Sequence, residues 1–169
     1  MHFKPCTSDE DFANFSLFFL ENKHDLHPSL SVLDGVTLIY SYLTEGYLCQ
    51  IADENGRVRG ISAYYHGTRE NEFLDKDVVY FDMAILDQSL RRSRVFMKSF
   101  SSMVFHIAET HPEVQELRLA ALSDNAYLCG MYAKLTRSSY KREGAIGEET
   151  VFCVKINEIC SMLKKYNRV

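Results

Sequence analysis

Val78–Leu86 reads VVYFDMAIL, a nearly continuous apolar run in which Asp82 is the one charged residue. A short run of this composition predicts a central strand that is covered on both faces. The next segment, Ser93–Glu109, has apolar residues at helical spacing, and Val114–Ala121 (VQELRLAA) alternates as a strand does. A strand, a helix and a strand in this order predict a right-handed crossover and a parallel strand pair within a mixed sheet. Because open mixed sheets bind ligands at the carboxyl ends of such strands, we expect a site just after β-strand residue Leu86.

Two helices are predicted before this crossover, after a short first strand at residues 2–6. Thr7 and Glu10 have the spacing of a capping box, which predicts a helix over about residues 8–22. Pro28 is a favoured first-turn residue and opens the second helix, and Gly46 ends it. The apolar residues of this second helix that share one face are Leu33, Val36, Tyr40 and Leu43.

A hairpin is the clearest local signal in the chain. Tyr47–Asp53 and Arg57–His66 are strand-like runs, and Glu54-Asn55-Gly56 joins them. An Asn-Gly pair at such a point favours a turn with a positive φ angle. The charged stretch Thr68–Asp77 then predicts a solvated loop before the central strand.

The last third of the chain predicts a helix, two strands and a closing helix. Ser123 or Asp124 caps the first of these helices, the strands lie at about 138–143 and 149–156, and Asn157–Tyr166 forms the last helix. The complete order is β-α-α-β-β-β-α-β-α-β-β with a C-terminal helix, which is an α/β class fold built on a mixed sheet. A length of 169 residues predicts a single domain over residues 1–169.

Composition excludes several classes of protein. With 46% hydrophobic and 25% charged residues the chain is neither disordered nor collagen-like, and a net charge of −4 argues against a nucleic-acid binder. No apolar run reaches the roughly 18 residues of a membrane span, and no basic-then-apolar leader is visible, so we expect no membrane partner and a cytoplasmic location. Five cysteines without a CxxC pair, and histidines without an HExxH motif, predict reduced thiols and no metal site.

Two segments, together with the element order, resemble the GNAT superfamily of N-acetyltransferases over nearly the whole chain. Leu86–Phe96 (LDQSLRRSRVF) stands where the family has an Arg/Gln-x-x-Gly-x-Gly/Ala turn between the fourth strand and the third helix. Asn125-x6-Tyr132-Ala-Lys134-Leu135 has the spacing of the family pattern N-x6-Y-x-K-L-G-F, with Thr136 and Arg137 in place of Gly-Phe. The resemblance implies the GNAT fold and acetyl-CoA as the acetyl donor, with no metal.

In the first segment the resemblance implies a pyrophosphate cradle made of backbone N–H groups and a helix N-terminus. Arg91 matches the leading basic position, but Arg94 and Phe96 occupy the two glycine positions, where small residues let the backbone approach phosphate. Arginine guanidinium groups would supplement or replace the amides. The alternative is a cluster of solvated loop charges. The donor-binding residues implied here are Leu86, Arg91, Arg92, Ser93, Arg94, Val95 and Phe96.

In the second segment the resemblance implies that Tyr132 protonates the departing thiolate of coenzyme A and that Asn125 lies near the donor. A tyrosine on an apolar helix stripe is otherwise a packing residue, so core packing is the alternative role.

Strand alternation places Tyr80, Asp82 and Ala84 on one face of the central strand. A carboxylate in such a strand needs a partner, a cleft or a proton, since burying an unpaired charge costs several kcal/mol. Family members often use a carboxylate of this strand as general base; Tyr80 aligns better with that position, and Asp82 is offset by two residues. The backbone N–H near Ala84 would stabilise the oxyanion. The alternative for Asp82 is a structural carboxylate.

The function that these residues imply is direct transfer of an acetyl group from acetyl-CoA to a primary amine of a small molecule or peptide. The alternative is a GNAT-fold binding or regulatory module without activity, which the missing glycines favour. Proteins of this fold often form dimers through their last strands, so the sequence is compatible with a homodimer as well as with a monomer.

Overall fold

The computed structural model describes residues 1–168, and its regular elements follow the predicted order. The strands are β1 His2–Pro5, β2 Tyr47–Ala52, β3 Val58–His66, β4 Val78–Leu86, β5 Glu116–Leu122, β6 Ser138–Glu143 and β7 Glu148–Lys155. The helices are α1 Asp9–Leu26, α2 Val32–Glu45, α3 Arg94–Thr110, α4 Ala126–Leu135 and α5 Ile156–Tyr166. Short 3-10 helices occupy Arg69–Asn71 and Gln88–Leu90. The seven strands form one mixed sheet in the order β1-β2-β3-β4-β5-β7-β6, so the predicted fold class is confirmed.

The chain divides into two compact units that interleave along the sequence. The first contains Met1–Tyr64 and Met83–Met103, and the second contains Tyr65–Asp82 and Val104–Val169. Among residues 1–168, none of the helices has the length and apolar composition needed to cross a bilayer.

In the first unit, β1, β2 and β3 pair antiparallel, with Phe3 opposite Ile51 and Tyr47 opposite Tyr64. The β2–β3 hairpin turns through Gly56 at φ +78°, as the Asn-Gly pair predicts. The buried aromatic residues of α1 that form the core of this unit are Phe15, Phe18 and Phe19.

Helix α1 begins one residue later than its predicted cap. Ser8 is the N-cap and forms a capping box with Asp11, so the expectation of a Thr7–Glu10 box is wrong. Both pairs have the same spacing, and tertiary contacts select the second, because the Asp11 carboxylate also accepts hydrogen bonds from Lys4 Nζ at 2.5 Å and Gln50 Nε2 at 3.0 Å. These contacts join α1 to β1 and β2.

Helix α2 also begins later than expected. Ser31, not Pro28, precedes its first turn, and the Ser31 hydroxyl and the Asp34 carboxylate form a second capping box. Gly46 ends the helix as predicted. The shared apolar face is exposed, whereas the buried residues of α2 are Gly35, Ile39 and Tyr42. The exposed apolar residues are Leu33, Val36, Tyr40 and Leu43.

In the second unit, β4 and β5 pair in parallel, from Val78 opposite Glu116 to Phe81 opposite Leu119. β5 pairs antiparallel with β7, and β7 with β6. The β4–β5 pairing confirms the predicted parallel strand pair. β4 is buried at every position except Asp82 and Ala84, which are half-buried. The prediction that both faces of this strand are covered is therefore confirmed apart from these two residues.

We expect the Asp11 carboxylate to make the stability of the protein depend on acidic pH. The hydrogen bond from Lys4 and the backbone N–H bonds of Thr7 and Ser8 lower the pKa of Asp11 to about 2. The folded pKa lies below the unfolded value near 4, so this stabilisation is present above pH 4 and is lost as the pH falls towards about 2. Asp11→Asn should lower the free energy of unfolding by about 1 to 2 kcal/mol at neutral pH and by much less near pH 2.

Urea unfolding at the two pH values measures this difference. Asp9→Asn is the matched control, since Asp9 is an exposed acid in the same first turn. An Asp11→Asn protein as stable as the wild type at neutral pH would contradict the role given to Asp11.

Candidate functional site

The segment after β4 lies in the first unit and is held by its own polar side chains. The Asp87 carboxylate accepts hydrogen bonds from the Ser89 backbone N–H at 2.9 Å and from the Ser89 hydroxyl at 2.7 Å, which caps the 3-10 helix Gln88–Leu90. It also pairs with Arg59, whose Nε lies 3.3 Å from Asp87 Oδ2. The turn at the carboxyl end of β4 is therefore built without glycine.

Of the three arginines in this segment, Arg91 already has a protein partner. Its Nε donates to the Leu86 carbonyl at 3.1 Å, and its guanidinium pairs with Asp25 of α1 at 2.5 Å. Arg92 and Arg94 are exposed at the start of α3. Both residues stand at the N-terminus of α3 in the sequence, and the helix dipole favours an anion at that end.

The backbone at Arg92 is left-handed, with φ at +60°. This conformation favours glycine and costs an L residue roughly 1 to 2 kcal/mol. Arg94 and Phe96, which stand in the family's glycine positions, are both in the helix. The turn therefore contains one residue in the left-handed conformation that glycine favours, but this residue is Arg92 and not Arg94 or Phe96. Such strain commonly marks a functional position.

The first turn of α3 is partly satisfied from within the chain. The Ser93 hydroxyl accepts a hydrogen bond from the Val95 backbone N–H at 3.2 Å and donates its own proton to the Leu90 carbonyl. The half-buried Phe96 ring stacks on Phe100, with ring centroids 6.1 Å apart. An anion at this turn would have to displace the Ser93 hydroxyl or use the arginine side chains.

In the second unit, Tyr80 belongs to a polar cluster that sequence analysis only partly found. Its hydroxyl donates to Glu149 Oε2 of β7 at 3.1 Å. Arg142 of β6 lies over the Tyr80 ring, 5.4 Å from its centroid, and pairs with both Glu149 and Glu70. Tyr80, Glu149 and Arg142 thus form one hydrogen-bonded and ion-paired group on strands β4, β7 and β6.

Strand register explains why these side chains share a face. Tyr80 lies opposite Arg118 of β5, and Arg118 lies opposite Cys153 of β7. Glu149 is four residues from Cys153, so their side chains point to the same side of the sheet. Arg142 lies directly opposite Glu149 in the β6–β7 pair.

The Glu149 carboxylate has a pKa above its usual range. Burial is the main cause, since the side chain is only 14% exposed, and the negative charge of Asp82 adds to it. The hydrogen bond from Tyr80 and the charge of Arg142 act in the opposite direction but do not outweigh burial. Burial and the Glu149 charge in turn raise the pKa of the Tyr80 phenol, so Tyr80 is a proton donor in this cluster. A carboxylate whose pKa moves towards neutrality is suited to general base catalysis.

Asn125 and Tyr132 lie in the same unit, on α4. Asn125, not Ser123 or Asp124, is the N-cap, and its Oδ1 accepts the Leu128 backbone N–H at 3.1 Å. Tyr132 is 1% exposed, packs edge-on against Phe152 at 6.0 Å between centroids, and has a pKa raised by burial. Both residues therefore have structural roles; whether they also serve a reaction stays a prediction.

Glu149 and Arg142 are the site residues that sequence analysis missed. The structure joins Tyr80 to them and puts Asp82 within electrostatic range of Glu149. Glu149 lies 69 residues after Tyr80 and belongs to an ordinary charged pair at the start of a strand. The sequence contains one indirect signal for them. Tyr80 and Asp82 are polar residues in the apolar strand β4, and such residues require a polar partner on a neighbouring strand.

No protein-family model matches the chain, and a search of curated proteins finds no match. Solved structures do match it along nearly their whole length. The ribosomal-protein-S5-alanine acetyltransferase from Vibrio fischeri superposes with a TM-score of 0.63 at 14% identity, covering 93% of this chain and 94% of that one. An acetyltransferase of the GNAT family from Staphylococcus aureus Mu50 gives 0.66 at 10% identity, covering 92% and 99%.

A point variant of the spermidine N-acetyltransferase from Vibrio cholerae gives a TM-score of 0.66 at 7% identity, covering 96% of this chain and 99% of that one. At this identity the comparison establishes the architecture. The chain has the fold of the GNAT acetyltransferases, and the resemblance stated from its sequence is confirmed at that level.

We expect the pKa of Glu149 to respond in opposite directions to its two neighbours. Asp82→Asn removes a nearby negative charge and should lower the pKa of Glu149 towards its ordinary value. Tyr80→Phe removes a hydrogen bond to the carboxylate and should raise that pKa further. Carbon-13 NMR titration of the side-chain carboxyl groups measures both shifts, and unchanged Glu149 titration in both variants would contradict the cluster.

Proposed function

We propose that this protein is an acetyl-CoA-dependent N-acetyltransferase that acts on a primary amine. The observation that carries the proposal is the Glu149 carboxylate, buried beside Tyr80 and Asp82 of β4, with its pKa raised, in a chain of GNAT fold. An amine is protonated at neutral pH and attacks a thioester only after it loses a proton. A carboxylate with a raised pKa suits that step.

In the proposed reaction the amine nitrogen attacks the thioester carbonyl directly. Asp82 or Glu149 accepts the proton that the nitrogen loses, directly or through a water molecule, and Tyr80 holds the Glu149 carboxylate in place. The negative charge that develops on the carbonyl oxygen is stabilised by the backbone N–H near Ala84. As the carbon–sulfur bond breaks, the thiolate takes a proton from Tyr132. The products are the acetylated amine and free coenzyme A.

Donor binding is assigned to the segment after β4. Arg92 and Arg94 would bind the pyrophosphate through their guanidinium groups, together with backbone N–H groups of Ser93, Val95 and Phe96, and Leu86 would line the donor site. Arg91 would act by holding the turn, since it is already paired with Asp25. Asn125, the N-cap of α4, would lie near the donor.

The acceptor belongs to the class of amines named for the structural relatives: the alanine of a ribosomal protein in one and spermidine in another. We therefore propose a small-molecule or peptide amine as the acceptor. The net charge of −4 argues against a nucleic-acid partner, and the absence of a membrane partner and a cytoplasmic location stay predictions from the sequence. β6 is the last strand of the sheet, and most of its side chains are exposed, which leaves an edge through which two copies could pair as a homodimer.

A second candidate function is a binding or regulatory module without transferase activity. Two contacts favour it. Arg91, the leading basic residue, is already paired with Asp25, and the Val95 backbone N–H already donates to the Ser93 hydroxyl. Both would lower the affinity for an anion at this turn.

Removal of either carboxylate should slow the reaction. We expect Asp82→Asn or Glu149→Gln to lower kcat by about 10²-fold or more and to change the pH profile of the rate, because a general base contributes about that much. Thiol release from acetyl-CoA, with spermidine or an alanine-initiated peptide as acceptor, measures the rate. Glu148→Gln is the matched control, since Glu148 is the exposed neighbour in the same strand. Full turnover and an unchanged pH profile in both test variants would contradict the base assignment.

Two substitutions at Arg92 separate its charge from its backbone strain. Arg92→Ala and Arg92→Gly should each weaken acetyl-CoA binding about tenfold in calorimetric titration, since both remove one charged hydrogen-bond donor. Arg92→Gly should also be more stable than Arg92→Ala by about 1 kcal/mol, because glycine adopts the left-handed φ without strain. Arg137→Ala, which removes an exposed arginine of the second unit, is the control.

No heat and no thermal shift of the wild-type protein with millimolar acetyl-CoA would exclude the transferase and leave the module function.

A further inference from the structure

A second polar cluster lies in the second unit, away from the residues given a role in acetyl transfer. It consists of His66, His111 and Glu113, whose nitrogen and oxygen ligand atoms all lie within 4.8 Å of one another. The two imidazoles are 8% and 6% exposed and their ring centroids are 4.1 Å apart, whereas Glu113 is exposed. Two buried histidines in contact need an explanation, because each carries ring nitrogens that must be satisfied.

The backbone holds His66 and His111 in place at the ends of two elements. His66 ends β3, and the next residue, Gly67, has φ at +98° and donates its N–H to the Val78 carbonyl at 2.8 Å. His111 follows the last residue of α3, and its N–H bonds the Ile107 carbonyl at 2.9 Å. His66 and His111 therefore stand at the end of a strand and the end of a helix, and Glu113 lies in the turn that follows the helix.

Hydrogen bonding identifies the place that a cation would take. His66 Nε2 lies 2.9 Å from the Lys76 backbone carbonyl and 3.2 Å from Glu113 Oε1. Both partners are acceptors, so one imidazole N–H is shared between two oxygens. A divalent cation in place of that proton would contact the same nitrogen and both oxygens, with a nitrogen of His111 as fourth ligand.

We propose that His66, His111 and Glu113, with the backbone carbonyl of Lys76, form a structural site for a divalent cation of the zinc type. Two imidazole nitrogens and a carboxylate are common zinc ligands, and zinc accepts a tetrahedral set. Ligand atoms of tetrahedral zinc are about 3.4 Å apart. The two distances at His66, 2.9 and 3.2 Å, are close to that value, and the three side-chain ligand atoms lie within 4.8 Å of one another, so they would move closer together to bind one ion.

Surrounding charges both favour and oppose the cation. Glu113 supplies the negative charge. The Lys76 ammonium, which donates to the His66 carbonyl at 2.9 Å, and His106 of α3 add positive charge when protonated. The balance predicts a site that binds zinc in preference to weaker, oxygen-preferring cations such as magnesium.

Calorimetric titration of the full chain with zinc tests the proposal. We expect a heat of binding that fits one ion per chain, because these residues supply one tetrahedral ligand set. The melting temperature should rise by roughly 5 to 10 °C at about a hundredfold excess of zinc over the dissociation constant. Magnesium at the same concentration should change neither quantity.

Glu113→Gln is the main variant, since Glu113 is exposed and its replacement leaves the fold intact; His66→Gln is the second. Each should weaken zinc binding by at least about tenfold. Glu109→Gln, at an exposed position of α3 outside the cluster, should bind zinc as the wild type does. Equal affinity of the wild type and both cluster variants would overturn the proposal.

Cobalt substitution identifies the ligands. Tetrahedral cobalt with nitrogen and oxygen ligands gives visible d–d bands without the near-ultraviolet sulfur-to-metal bands of a thiolate site. The five free cysteines offer the competing ligands. Sulfur-to-metal bands in the wild type, retained in Glu113→Gln, would assign the metal to cysteine and overturn the histidine site. The outcome is independent of acetyl transfer, which this test does not measure.

Discussion

A carboxylate on a strand whose other side chains are almost all buried must be balanced by its neighbours, and Asp82 imposes this constraint on β4. Close to it in electrostatic terms, Tyr80 of the same strand donates to Glu149 of β7, and Arg142 of β6 pairs with Glu149, so the charge of Asp82 acts on this group. Two acids in one half-buried group cannot both keep their ordinary pKa. Burial is the main cause of the raised pKa of Glu149 and the charge of Asp82 adds to it, and the raised pKa suits Glu149 for proton transfer.

The anion-binding segment follows a different principle from the glycine-rich turns that it resembles. Glycine lets backbone amides approach a phosphate, whereas here Ser93 satisfies an amide internally and two exposed arginines supply charge. One left-handed residue is still needed to enter α3, and Arg92 takes that conformation. Charge attracts an anion with less geometric selectivity than an amide cradle, so the proposed donor site depends more strongly on ionic strength than a glycine-rich one.

Much of the architecture followed from local patterns, and the errors lie at helix starts. VVYFDMAIL coincides with β4 over all of Val78–Leu86, and Asn-Gly produced the hairpin turn. Thr7–Glu10 and Ser8–Asp11 are equally good capping pairs by spacing, but Asp11 alone also contacts Lys4 and Gln50. At α2 the deciding contact is local, since Ser31 rather than Pro28 begins the helix because Asp34 completes its box. Local rules thus propose several candidates for a helix start, and at α1 a long-range contact chooses between them.

The sequence by itself determined the element order, the central strand and the residues of β4 that need partners, because hydrophobic periodicity and turn chemistry are local information. Only the tertiary structure decided which partners these are. Glu149 reaches Tyr80 through the registers of β4, β5 and β7, and a slip of one residue in β7 would turn its side chain to the opposite face. His66 and His111 likewise meet only because a strand end and a helix end converge in the folded chain.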